Sequence, residues 1–309
     1  MNCSKGFTLA EIAIVLVIVS LLLVGAMIPL STQIEVRNLA DTRRTVDVIK
    51  DAMIGFAQAN GRLPCPANGA LAAAAAGAGL EQYDAATTKS CTSALGVVPW
   101  ATLGVPETDA WGHRFTYRVS PAFADDSSLN TWQSRKNSID PATFPSQSTT
   151  AILSPDNQSP TCPSSSAPAV PPYTLFPMPV LSSFALCTLG DITVLTRSEA
   201  DHSVVTPLGA GLPAVFVSHG KNGYGAYTPS GGARLPGGSG DEATNANGGT
   251  TATPSGGYLS HALYSRNPTP SATDCSDTTG TVFCEFDDIV AWISPSILVS
   301  RMVSAGKLP

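Results

Sequence analysis

The chain has 309 residues with 17 Lys and Arg against 23 Asp and Glu, a net charge of −6. That balance excludes non-specific nucleic-acid binding, which needs clustered cations to neutralise phosphates. Charged residues are only 13%, against 27 Gly and 25 Pro, a composition suited to β-structure and long loops rather than to a helical bundle.

From the N-terminus, Ile12 to Leu30 is apolar except for Ser20, Gly25 and Pro29, long enough as a helix to cross about 30 Å of hydrocarbon. Only Met1 to Gly6 precede the opening Phe7-Thr8-Leu9-Ala10-Glu11, a short lead for a secretory signal. Glu11 is the anomaly, since an ionised carboxylate in a membrane helix costs about 2.5–3.5 kcal/mol and calls for a partner or a function. A cut after Gly6 frees a positive α-amine on Phe7, four residues before Glu11. Pairing of that amine with the carboxylate of a neighbouring chain sets a fixed axial stagger and predicts polymerisation.

The run Lys5-Gly6-Phe7-Thr8-Leu9-Ala10-Glu11 before a long apolar helix resembles the cleavage and methylation motif of type IV pilins and type II secretion pseudopilins. The resemblance implies a leader over residues 1–6, cut after Gly6 by a membrane aspartic prepilin peptidase that methylates Phe7. It makes Glu11 the registry residue between pilin or pseudopilin subunits. It further implies a membrane-embedded half of the helix over 7–30, an amphipathic half over 31–60, and a globular head over 61–309. The localisation that follows is the bacterial inner membrane, with the N-terminus cytoplasmic before cleavage and the head periplasmic, and then a pilus or pseudopilus. Orientation rests on the resemblance, because Lys5 is offset by Arg37, Arg43 and Arg44 beyond the span. A conventional signal cleaved after Val24-Gly25-Ala26 is the competing reading, and it predicts a mature start at Met27.

Past Pro29 the helical period continues through Ile34, Leu39, Val46, Ile49, Met53 and Phe56, with charged residues between them. The predicted helix runs from Phe7 to Ala59, about 80 Å, and ends at Asn60-Gly61 before Pro64. Its apolar stripe is expected to bury against an antiparallel sheet, giving an α+β pilin-like fold. Ala70 to Leu80 reads as a short helix or soft loop. Strands are predicted over 115–119, 192–196, 214–218, 258–264, 281–286 and 289–293. Ser294-Pro295 opens a C-terminal helix that Gly306 stops. Residues 145–172 and 228–257 have loop composition and are candidate surfaces for a ligand, the alternative in which the chain is an adhesin-like binding module.

Cys3 falls in the leader, leaving Cys65, Cys91, Cys162, Cys187, Cys275 and Cys284. An even set without CxxC or Cys/His metal spacing favours disulfides in an exported head. Neighbours in sequence are taken as the pairs, with buried free thiols as the alternative.

Asp109-Ala110-Trp111-Gly112-His113-Arg114-Phe115-Thr116-Tyr117 is similar to the Asp-Pro-Trp-Gly stretch that turns into the first sheet strand of pseudopilins, with Ala110 in place of Pro. Ser218 to Gly223 resembles a Gly-rich turn that lies near a calcium site in some members. Here Asn222 stands where an acid would help. Asp241, Glu242, Asp274 and Asp277 lack EF-hand spacing and read as solvated loop acids, so no cofactor is expected, with calcium as the alternative. No catalytic motif is present, and His113, His202, His219 and His261 are scattered. A membrane-anchored hydrolase would have to assemble Ser218-His219 with Asp201-His202, so the expectation is a non-enzyme. The long head points within the resemblance to a minor pilin or minor pseudopilin, and the two head motifs lean toward secretion.

Overall fold

The computed structural model describes residues 8–86, 90–124, 184, 190–238, 240–252, 260–279 and 282–308, without the side chains of 22–32, 251, 252 and 260. Helix α1 (Leu9–Asn60) is 52 residues long. It stops because Gly61 adopts a left-handed φ of 74° and returns its N–H to the Ala57 carbonyl at 2.7 Å, a conformation that suits glycine. Exposed pairs Arg37–Asp41 and Lys50–Asp47 run along its polar side. Val46, Ile49, Met53 and Ala57 are buried at spacings of three and four, one helical face. The stripe was expected from Ile34, yet full burial begins only at Thr42; Ile34 stays exposed at an open groove against the turn 108–110.

The head contains two four-stranded sheets rather than one. Sheet I runs β10 (Ile289–Ile293), β7 (Ala214–Ser218), β4 (Thr116–Val119), β3 (Leu95–Val97), antiparallel throughout. Sheet II runs β6 (Val205–Leu212), β5 (Ile192–Arg197), β9 (Ser260–Tyr264), β8 (Thr250–Ala252), with β5 and β9 parallel. A ribbon of β1 (Tyr83–Asp84) and β2 (Ser90–Cys91) and the one-turn helices α2 (Trp100–Leu103) and α3 (Pro121–Ala124) complete the first half.

Sheet I is the middle of three layers. Ala214 and Phe216 of β7 join Tyr117, Val119 and the buried face of α1, whereas Val215 and Val217 join Ile192, Val194, Leu212 and Leu263 on the other side. Alternate residues of one strand therefore serve two cores, which is why β7 reads as an unbroken apolar run. Tyr117 stacks on Phe216 with centroids 5.4 Å apart and donates its hydroxyl to the Pro64 carbonyl at 2.9 Å, fixing the chain just beyond α1.

Several local expectations change. Residues 282–286 form no strand; Phe286 makes a single bridge with Thr269. The longest strand, β6, was unforeseen because Pro207, Gly209 and Gly211 mimic a turn. The stretch 228–257 contains helix α4 (Gly240–Ala246) and β8, while 145–172 lies outside the described residues. Of the two readings of 70–80, short helix or soft loop, the second holds: the segment is turns, held by the fully buried Arg114, whose guanidinium donates to the Gly69 and Leu71 carbonyls at 2.8 and 2.6 Å. The C-terminal helix α5 (Pro295–Ser304) buries Leu298 and Met302 in the α1 core.

Cys65–Cys91 and Cys275–Cys284 are disulfides, the two outer pairs expected; Cys162 and Cys187 lie outside the described residues. Among the described residues no helix is long and apolar enough to cross a membrane. Within the apolar run the described side chains end at Leu21.

Candidate assembly site

Gly6 and Phe7 lie outside the described residues, and the structure begins at the cap of α1. Thr8 is extended, and its hydroxyl oxygen accepts from the Glu11 N–H at 3.3 Å. The Glu11 carboxylate in turn accepts from the Thr8 N–H at 2.8 Å and the Thr8 hydroxyl at 2.9 Å. This is a capping box, two orphan donors of a helix start satisfied reciprocally. The sequence reading singled out Glu11 and missed Thr8, although Thr-x-x-Glu before an apolar run is itself the signature of such a cap. The Glu11 carboxylate thus faces the backbone and the hydroxyl of Thr8.

Beyond the cap, α1 presents a bare apolar surface. Leu9 is 89% exposed, Leu16 63% and Leu21 67%, and the described side chains up to Leu21 are all exposed. A continuous exposed apolar face of this kind marks a surface that meets lipid or another protein.

Further along the helix, at Thr42, the turn 109–114 couples α1 to the head. Asp109 accepts from the Trp111 and His113 N–H groups at 3.0 and 2.9 Å and from the Ser218 hydroxyl at 2.6 Å. Ala110 donates its N–H to the buried Thr42 hydroxyl of α1 at 3.2 Å. The motif is thus a bracket: Asp109 closes the turn and holds β7, while Ala110 holds the helix.

The residues proposed for hydrolysis are engaged elsewhere. Ser218 serves Asp109, and exposed Asp201 binds Ser203. His202 hydrogen-bonds to the Ser276 carbonyl at 2.8 Å and stacks on Phe283. His219 lies instead between Thr116 Oγ1 at 2.8 Å and Asp288 Oδ1 at 3.2 Å, and Asp288 also accepts from Asn245 at 2.8 Å. This hydroxyl, imidazole and carboxylate series has the order of a triad. His219 is wholly buried and Thr116 nearly so.

The acids read as solvated loop residues prove mostly buried. Asp241 is held by Arg197 at 2.9 Å and Arg266 at 3.1 Å, and Asp277 by Arg266 at 3.0 Å; only Asp274 is exposed. Composition could not show this, since the arginines come from β5 and from the segment after β9. Glu242 reaches Asn222 at 3.1 Å and the Asp287 N–H at 2.9 Å, and its carboxylate lies with those of Asp287 and Asp288 within 4.8 Å. Burial and the Asp288 charge push Glu242 up to about 8, and burial raises Asp287. Gly220, with φ 54°, brings the preceding turn close to Asp287, where a Cβ would collide with its carboxyl.

No curated protein and no solved structure matches the chain. Residues 1–27 match the family described as the prokaryotic N-terminal methylation motif. The chain therefore carries a prepilin-type N-terminal methylation motif, followed by an α+β head.

Proposed function

We propose that the protein is a structural subunit of a type IV pilus or type II secretion pseudopilus, anchored in the inner membrane by α1 and processed after Gly6. What carries the reading is the pairing of the N-terminal motif with the division of α1. Val46, Ile49, Met53 and Ala57 bury its C-terminal part in the head, and its apolar side chains from Leu9 to Leu21 are uncovered. Peptidase cleavage frees the Phe7 amine beside Glu11, whose carboxylate then exchanges Thr8 for the amine of a neighbouring chain; lateral packing of the apolar helices completes the filament. The head faces the periplasm. Within this reading the long head makes the chain a minor subunit, and its partners are other pilin or pseudopilin subunits and the prepilin peptidase. The reading assigns no catalytic step, supported by the burial of Thr116 and His219.

The deciding experiment is intact-mass and N-terminal analysis of the protein purified from membranes of a host with its own prepilin peptidase. A mature chain starting at methylated Phe7 supports the reading. A start at Met27 overturns it, because Glu11 would then leave with the signal.

A further inference from the structure

Helix α1 repeats the charge pattern of the processed N-terminus further along its length. Thirty-six residues separate Glu11 from Asp47 and, equally, Phe7 from Arg43. At about 3.6 residues per turn that is ten whole turns, so on the unbroken α1 Asp47 stands on the same face as Glu11, about 54 Å along the axis. Arg43 stands in the same relation to the first residue of the processed chain. Both groups are open to a partner. Arg43 is exposed, and among the described residues it enters no ion pair, although Arg37, Arg44 and Lys50 beside it on the helix all do. The Asp47 side chain is 73% exposed and meets Lys50 at 3.5 Å. An exposed pair of that kind contributes little, so a cation from another chain replaces Lys50 at small cost.

The first contact fixes the second. In the filament reading, on which this inference rests, the Phe7 amine of one chain meets Glu11 of the next, so parallel helices sit four residues apart along the axis. That offset brings Arg43 of the first chain level with Asp47 of the second and turns each toward the other, because each lies ten turns beyond a group already in contact. We propose that Arg43 of one subunit donates to Asp47 of the neighbouring subunit, a second registry contact between α1 helices. Both halves of both contacts lie on this one chain, so the neighbour is a second copy of it. Each copy gives Arg43 to one neighbour and Asp47 to the other, a heterologous contact that propagates into a fibre rather than closing as a dimer. The offset alone does not select the pair. Arg37 and Asp41 are also four residues apart, but Asp41 lies thirty residues from Glu11, about a third of a turn off that face, and the two already meet within the chain at 3.5 Å.

The test measures incorporation of the full chain into sheared fibres, by immunoblot, in a host with the prepilin peptidase and assembly machinery. Arg43→Asp and Asp47→Arg are each expected to lower incorporation roughly fivefold. The exchange Arg43→Asp/Asp47→Arg is expected to restore it, since the pair reforms between copies with its charges reversed. Arg37→Asp, the same change of charge off the contact face, is expected to incorporate like the parent. Single variants that assemble like the parent, an exchange that rescues nothing, or an Arg37→Asp loss as large as that of Arg43→Asp overturns the proposal. Should a charge variant misfold, copies carrying Arg43→Cys and Asp47→Cys, produced together, decide: a disulfide-linked dimer in fibres is expected from the mixture, and its absence overturns the pairing. A parent chain that never enters fibres defeats the filament reading and this inference together, whereas a parent that assembles normally with silent variants at both positions defeats this inference alone.

Discussion

Two carboxylates show how neighbours decide what a residue does. Glu11 stands beside a threonine on an exposed helix start and caps it. Replacement by Ala removes the carboxylate half of the capping box and leaves the Thr8 hydroxyl accepting from the backbone N–H of residue 11, a loss of about 1 kcal/mol or less at a single helix end. It should therefore leave cleavage after Gly6 largely intact while sharply reducing incorporation into filaments, as read by immunoblot of sheared fibres; normal incorporation would refute the registry role. Glu242 is instead enclosed with two other acids. Its folded value of about 8 lies above the ordinary 4.5, so the folded state binds the extra proton between those values. The stabilisation is complete below about pH 4.5 and is lost as pH rises to about 8. Denaturant unfolding of the parent chain should show stability falling across that window. Glu242→Gln should give a shallower fall, and an unchanged slope would mean that Glu242 ionises normally.

Among the elements, α1 carries two jobs on one continuous helix. The periodicity of Val46, Ile49 and Met53 was readable in the sequence, since three- and four-residue spacing admits only a helix with one buried face. Where burial begins was not readable, because the pattern continues to Ile34 while the head closes over the helix only from Thr42. Met53, wholly buried between the helix and sheet I, is the sensitive position. Met53→Ala should cost about 2–5 kcal/mol in denaturant unfolding, whereas Ile34→Ala should cost little. Strand β7 was legible as an apolar run, and β6 was hidden by its proline and glycines. An edge strand tolerates such residues because only one of its sides must pair.

At the scale of the whole molecule, the Cys65–Cys91 disulfide joins the exit of α1 to the ribbon beside sheet I, closing a separation of 26 residues. Cys65→Ala/Cys91→Ala should lower stability by about 3 kcal/mol, measured by denaturant unfolding under non-reducing conditions, and should leave the N-terminal motif's processing unchanged. The sequence by itself determined the N-terminal motif, the long helix and its stop at Gly61, and the α+β class, whereas the outer disulfide pairs were one choice among several until the structure joined them. The former depend on local chemistry: a motif of adjacent residues, a helical period and a left-handed glycine. Only the tertiary structure decided the three-layer stacking of α1 and two sheets, the bracket from Asp109 to Ser218 and Thr42, the relay through Thr116, His219 and Asp288, and the burial of Asp241, Glu242 and Asp277. The physical reason is that a polar group's role depends on partners brought from distant strands, and no local pattern records which strands will meet.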